Sequence, residues 1–354
     1  MKRFCISILS ICLAMSVYAE KVGDLEEVGK PGALYIDNGQ VYVVDQATVH
    51  IYSLKDLKHV KTFGKKGEGP KEFKNQPLLT LYKDSILANS MGKVAYFTRD
   101  GQFKKTKKIP FNYNYFALPM VSMDKYFFGM IVKGRGSMKN QFFKERKAIT
   151  VFDQSFKEVK EIYKGVVQLP PPPVGAGRRQ VKINVDAVND CFDYQVYDNK
   201  LFIGDTVKGF YFSVYDHTGK HLYDIKKDEP KIEVTKAYQD GYMKRKMAAK
   251  SWEQEKKRFE FVFRKHYPPY FSFQITDGKI YVSTYKEKGG KFEVVVLDTK
   301  GKEIKRAFAH PTAPYNRISE IGHFKNEYAV YKDKLYYILD NEEEEMWELH
   351  AQKI

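Results

Sequence analysis

A polar turn feeding a short run of β-branched and aromatic residues occurs six times along this chain, and that recurrence narrows its folding options more than any other feature. The first copy is Asp37-Asn38-Gly39-Gln40-Val41-Tyr42-Val43-Val44-Asp45. The others are Lys83–Leu87, Met123–Phe128, Tyr197–Ile203, Thr276–Val282 and Lys332–Ile338. Each reads as the turn and second strand of a β-hairpin. A repetitive fold of this kind grows by adding units around a ring, so a long chain need not split into separate cores.

A second kind of turn alternates with the first. It lies near Lys55-Asp56 and at Arg99-Asp100-Gly101-Gln102, Asp153-Gln154-Ser155, Asp216-His217-Thr218-Gly219 and Asp298-Thr299-Lys300-Gly301. Together the two kinds mark out four-stranded units, Ala33–Phe63 and Leu78–Ile109 being the clearest. There are five outer turns for six inner ones, because the chain ends one strand after its sixth hairpin, at Met346–His350. The missing outer strand is assigned to the other end of the chain, near Leu25–Val28. Pairing head with tail removes the exposed strand edges that an open array would leave. The expected fold is all-β: a six-bladed β-propeller over residues 20–354, its last blade shared by both termini.

The steps between inner turns are 45, 40, 75, 79 and 55 residues, taken at Gly39, Asp84, Asp124, Asn199, Gly278 and Asp333. The first two are blade-sized, and the longer ones carry insertions. Gly134–Arg146 reads as a long basic loop. Leu169–Arg179 is a stiff run of four prolines, Pro170–Pro173, followed by a flexible stretch ending in Arg178-Arg179. The third insertion, Thr235 to about Lys265, reads as one helix capped by Thr235 and stopped by His266-Tyr267-Pro268-Pro269. In it Tyr238 and Tyr242, then Phe259 and Phe263, are four apart and share a face; Gly241 is a candidate kink.

Residues 1–19 have the form of an export signal: Lys2 and Arg3, an apolar stretch from Phe4 to Val17, and Val17-Tyr18-Ala19 as the cleavage site ahead of Glu20. The apolar run is too short for a stable membrane span. Ile11 before Cys12 fits a lipid-anchor pattern poorly, so cleavage after Ala19 is expected. Only Cys191 survives that cut, which leaves no internal disulfide. Cys191, between Asp190 and Phe192, reads as a small buried hydrophobe. The net charge of +16 favours anionic surfaces such as acidic glycans or lipids; export makes nucleic acid an improbable partner.

Gly64-Lys65-Lys66-Gly67-Glu68-Gly69-Pro70-Lys71-Glu72-Phe73 is the most distinctive stretch. It is no phosphate loop, since no Gly-Lys-Ser/Thr occurs and no helix follows. It reads as the link from blade one to blade two, with Phe73 plugging the gap between them. Residues Gly67–Phe73 resemble the Gly-x-Gly-Pro-Gly-Glu-Phe signature of exported bacterial six-bladed propellers related to NHL repeats, with Lys71 in place of the glycine. The resemblance implies the fold. It also implies an alternative function, because some NHL-like propellers are calcium-dependent hydrolases or lyases with acidic and amide ligands in the channel. Asp45, Asn89 and Asp205, each at the end of an inner-hairpin strand, are the residues such a site would draw on; strand-end Asp and Asn are more often turn formers.

Catalytic and metal motifs are otherwise absent. There is no His-Glu-x-x-His, His217 and His221 flank a tight turn, and Ser213–Gly219 has the wrong spacing for the Asp box of sialidases. Glu342–Glu345 reads as a solvated acidic turn. The expected function is therefore that of an exported, non-enzymatic propeller with no required cofactor, which binds a protein, glycan or small-molecule ligand at one face of the ring. Arg178 and Arg179, with Lys65 and Lys66, are the candidate contacts to an anionic group. The alternatives are the calcium-dependent enzyme and a structural subunit of an envelope assembly.

Overall fold

The computed structural model describes residues 19–90, 92–109, 120–132, 137–139, 142–168, 182–310 and 328–354. Their strands form six sheets, five wholly antiparallel and one, that of blade three, extended by two parallel pairings. Blade one is Pro31–Asp37, Gln40–Asp45, Thr48–Ser53 and His59–Phe63, and blade two is Leu78–Tyr82, Ser85–Ser90, Lys93–Thr98 and Phe103–Lys108. Blade three is built on Val121–Met123, Tyr126–Val132, Phe142–Phe152 and Glu158–Gln168. Blade four comprises Phe192–Tyr197, Lys200–Asp205, Phe210–Asp216 and His221–Lys227. Blade five comprises Ser272–Thr276, Lys279–Lys288, Lys291–Asp298 and Glu303–His310. Blade six is Tyr328–Tyr331, Lys334–Asn341, Met346–Lys353 and, from the other end of the chain, Glu20–Asp24.

The turns explain the hairpins. All six inner turns are two residues long, and their first residue has positive φ: Asn38, Lys83, Asp124, Asp198, Asp277 and Lys332. At Asn38-Gly39, Asp198-Asn199, Asp277-Gly278 and Lys332-Asp333 both residues do, the geometry whose twist matches that of the flanking strands. In three outer turns an aspartate organises the backbone. One carboxylate oxygen of Asp153, Asp216 and Asp298 accepts two N–H groups each, from Ser155 and Lys157, Thr218 and Lys220, and Lys300 and Lys302. Gly301 in the last of these has φ +91, and a Cβ there would lie 2.5 Å from Ile225 of the preceding blade. The outer turns therefore press against the neighbouring sheet, and only glycine combines that fit with that conformation.

Ring closure is recorded in the core. The described apolar residues fall into six clusters, one for each junction between adjacent blades. An open row of six sheets would have five junctions. The sixth cluster joins Ala329, Tyr336, Leu349 and Ala351 of blade six to Leu34, Val41, Val43 and Tyr52 of blade one, with Leu25 and Val28 buried between them. The second strands, covered on both faces, are almost wholly buried from Val41 to Asp45, Ile86 to Ser90 and Leu201 to Asp205. Their apolar runs are continuous rather than alternating for that reason.

The closure uses an earlier segment than the sequence suggests. Glu20–Asp24 pairs antiparallel with Met346–Lys353, whereas Leu25–Val28 turns away. Leu25 donates one backbone bond to Trp347 and then packs inward with Val28. Burial rather than pairing accounts for the apolar pattern there. The pairing strand itself is polar because it lies at the rim, where Lys21 bonds Glu348 at 2.7 Å and Asp24 at 2.8 Å, and Lys334 pairs with Glu20. These bonds, with Asn341 and His350, hold the Glu348 carboxyl down to about 2.

Neighbouring inner strands are also stitched side chain to backbone. Gln195 and Gln274 occupy the same register in blades four and five. Each amide donates to the next blade's backbone, at Phe273 and Tyr328, and accepts from it, at Ile275 and Val330. Tyr35 and Thr80, at that position in blades one and two, bond Leu79 and Met120.

Candidate interaction face

Strand direction sorts the connections onto two faces. The first-to-second turns of all six blades and the third-to-fourth turns of blades one to five share one face, and all are short. The second-to-third turns and the links between blades share the other, and every insertion begins and ends there.

Three of those insertions join into a single small subdomain over blades three to five. The third strand of blade three extends past the ring from Phe142, and Ser137–Lys139 pairs with that extension. Phe142 then bridges in parallel to Ile183–Asp186, which runs parallel to Phe259–Val262. The described parts of Gly134–Arg146 are therefore strand, not loop. The single helix expected over Thr235–Lys265 is likewise corrected. It is a helix Lys236–Ala248 capped by Thr235, a break, a shorter helix Trp252–Arg258, and then strand. Gly241 lies inside the first helix without breaking it. Phe259, Phe261 and Phe263 alternate along a strand, so their period is two. Phe261 and Phe263 meet Tyr242 at 5.9 and 5.6 Å between ring centres, and Trp252 stacks on Phe261 at 6.2 Å.

A half-buried ion cluster ties this subdomain to the ring. Arg264 Nε donates to Asp186 at 2.8 Å, and its Nη1 to Asp190 at 3.0 Å. Asp190 also accepts from Thr206 of blade four. Burial pushes the Asp186 carboxyl up, opposed by the guanidinium beside it. No sequence spacing signals this trio, whose members are 74 and 78 residues apart. Cys191 sits half-buried at the edge of the adjoining core.

The candidate contacts fall out as follows. Arg178 and Arg179 lie outside the described residues. Lys65 and Lys66 lie in the blade-one to blade-two link, whose Phe73 is fully buried in the core between those blades. Lys65 is exposed and 3.2 Å from Glu72, whose carboxylate also accepts the Gly69 N–H at 2.9 Å. That N–H, then Lys65, holds the Glu72 carboxyl below its ordinary range. Lys66 bridges Phe73 through the backbone. Gly64, with φ +80, passes so close that a Cβ would be 2.6 Å from the Phe73 ring. The glycines thus serve the packing of Phe73.

Asp45, Asn89 and Asp205 all bind elements next to them. Asp45 accepts Gly29 and Lys30 N–H, Asn89 exchanges bonds with Met120, and Asp205 accepts the Tyr163 hydroxyl at 2.7 Å and the Val207 N–H. Asp45 anchors the chain arriving from blade six, Asn89 the chain entering blade three, and Asp205 the outer strand of blade three. Among the described residues the three-acid grouping compact enough for an ion is instead Asp24, Glu344 and Glu348, and Lys21 occupies its centre. Glu342–Glu345 is an exposed turn, as expected.

A groove of about 420 Å³ runs between the outer strands of blades three and four, lined by Tyr163, Lys208, Tyr211, Ser213, Tyr215, His221 and Asp224 among others. The Lys208 ammonium lies over the rings of Tyr163 and Tyr211, at 4.4 and 4.9 Å. Ser213 Oγ donates to Asp224 Oδ1 at 2.9 Å, and His221 Nε2 approaches the same oxygen at 2.8 Å. Serine and histidine both end on the acid, so the histidine is not placed to activate the serine. The lysine–aromatic contact recurs around the molecule, at Lys83–Tyr82, Lys105–Tyr96, Lys125–Tyr126, Lys300–Tyr223 and Lys332–Tyr331. Much of the lysine content thus covers aromatic rings while keeping its charge in water.

A family model described as a 6-bladed beta-propeller matches residues 23–167. That span runs from the closing strand almost to the end of blade three. The fold itself is a six-bladed β-propeller. No curated protein matches. Among solved structures, the β-propeller domain of Cps50 (Swd1) from Myceliophteria thermophila is 11% identical, with 95% of this chain and 100% of that one covered and a TM-score of 0.40. A chain of the Mitotic Checkpoint Complex is 6% identical over 100% and 99%, with a TM-score of 0.42. Luciferin-regenerating enzyme is 12% identical over 96% of each, with a TM-score of 0.35.

Proposed function

We propose that this is an exported, non-enzymatic propeller, related to the NHL-like group, that binds an anionic ligand or partner through the face carrying its insertions. One observation carries the reading. Segments 133–147, 169–190 and 228–271, which all start and end on that face, contain 20 Lys and Arg against 10 Asp and Glu. The remainder of the chain from Glu20 onward has 38 against 34. Most of the excess positive charge belongs to the inserted segments, and such a concentration attracts anions. Export is supported by register, because the closing strand starts at Glu20, so a cut after Ala19 leaves it whole.

The test uses heparin as an anionic probe. The chain 20–354 should be retained on a heparin column, and the double variant Arg178→Ala/Arg179→Ala should elute at lower salt. Unchanged elution removes those arginines; no retention of the parent chain removes the anionic partner.

A further inference from the structure

The elbow between the two helices of the subdomain concentrates positive charge beside exposed apolar side chains. Gly241–Trp252 contains four cations, Lys244, Arg245, Lys246 and Lys250, two methionines, and no acid. Lys246 turns inward to Glu255 at 3.1 Å. Tyr242 is buried against Phe261 and Phe263, which fixes the helix with its opposite side outward. Lys244, Arg245, Met247, Ala248, Ala249 and Lys250 are all exposed, Met247 by 56%. Among the described residues no carboxylate pairs with Lys244 or Lys250. On the neighbouring helix Lys257 stands exposed, and Lys256 is exposed but paired with Glu253 at 2.6 Å.

We infer that this elbow docks on the surface of an anionic lipid bilayer, Met247 entering the headgroup boundary while the surrounding cations meet lipid phosphates. The inference rests on the reading of this face as the contact face of an exported protein. It goes further by naming the partner, and Met247 decides which. An acidic glycan or a purely ionic protein surface offers nothing to an exposed thioether, whereas the edge of a hydrocarbon layer does. Lysines on flexible stems are suited to reach headgroups around such a point. Docking would be peripheral, since no helix of the described residues is long and apolar enough to cross a membrane.

The experiment is sedimentation of the chain 20–354 with vesicles of phosphatidylcholine alone or with added phosphatidylglycerol. Binding is expected only with phosphatidylglycerol, weakening as salt rises. Each cation near an anionic surface contributes on the order of fivefold in affinity, so Lys244→Gln/Lys250→Gln/Lys257→Gln should lose about a hundredfold. Met247→Asp should also lose vesicle binding while keeping its heparin retention. These positions are exposed, so thermal midpoints should not move. Undiminished vesicle binding by either variant overturns the proposal. Heparin retention without any vesicle binding overturns it too, while leaving the anionic-face reading intact; loss of heparin retention by the parent chain removes that reading instead.

Discussion

The two faces of the ring are made by different rules. On one, every connection is short, two residues at the inner turns and four or five at the outer ones, and each is fixed by a positive-φ residue or an aspartate that satisfies its own loop. On the other, connections lengthen, strands overrun the ring, and helices and parallel strands fill the space. The tight face and the junctions behind it hold the sheets together; on the other face the insertions project beyond the sheets and are free to vary, while the short links there, Phe73 above all, still pin the ring. That is the usual division between scaffold and working loops.

The contrast can be broken most forcefully in the core. Phe73 belongs to a link on the elaborated face yet plugs the junction of blades one and two, so Phe73→Ala should cost about 3–5 kcal/mol by urea unfolding. A loss below about 1 kcal/mol would show that the junction tolerates its absence. On the tight face, Gly301→Val should lower the thermal midpoint clearly, because it adds a Cβ against Ile225 at a positive φ. Asp216→Ala, which removes two backbone acceptor bonds, should cost about 1 kcal/mol.

Acid titration probes the seams. The Glu303 carboxyl, beside Arg306 and Lys227, and that of Glu348, beside Lys21, are both held down to about 2. Carboxylates lowered in this way stabilise the fold above their unfolded value of 4.5. That contribution is lost as pH falls from there towards 2. Unfolding midpoints should therefore drop over that window, and less so in Glu348→Gln; a flat profile would dismiss the closure as an ionic latch. The smallest effect is expected from calcium. Because Asp45, Asn89 and Asp205 hold backbone and hydroxyl groups, adding calcium or a chelator should leave the melting temperature in place. A shift of several degrees would reopen the hydrolase or lyase reading.

How much of this was legible in the chain depends on how local the cause is. Inner turns, Asp-led outer turns, the Phe73 plug and the shared last blade all follow from turn chemistry and strand pattern over a few residues. Local pattern points to Leu25–Val28 for the closing strand because Leu25 and Val28 look like strand residues, yet they are buried as a turn, and the strand that pairs, Glu20–Asp24, is polar at the rim. The helix was drawn too long because Phe259 and Phe263 fit a four-residue step as well as a two-residue one. Only the partner strand Ile183–Asp186 selects between them.

By itself, then, the sequence determined the repeat, the number of blades and the need to join the ends, since each is written in short-range turn and strand signals. The tertiary structure alone decided that three insertions far apart in the chain become one subdomain. It also brought Arg264 to Asp186 and Asp190, and left Met247 facing outward. Those outcomes depend on which buried partners meet across more than 70 residues of chain, and no local preference encodes that.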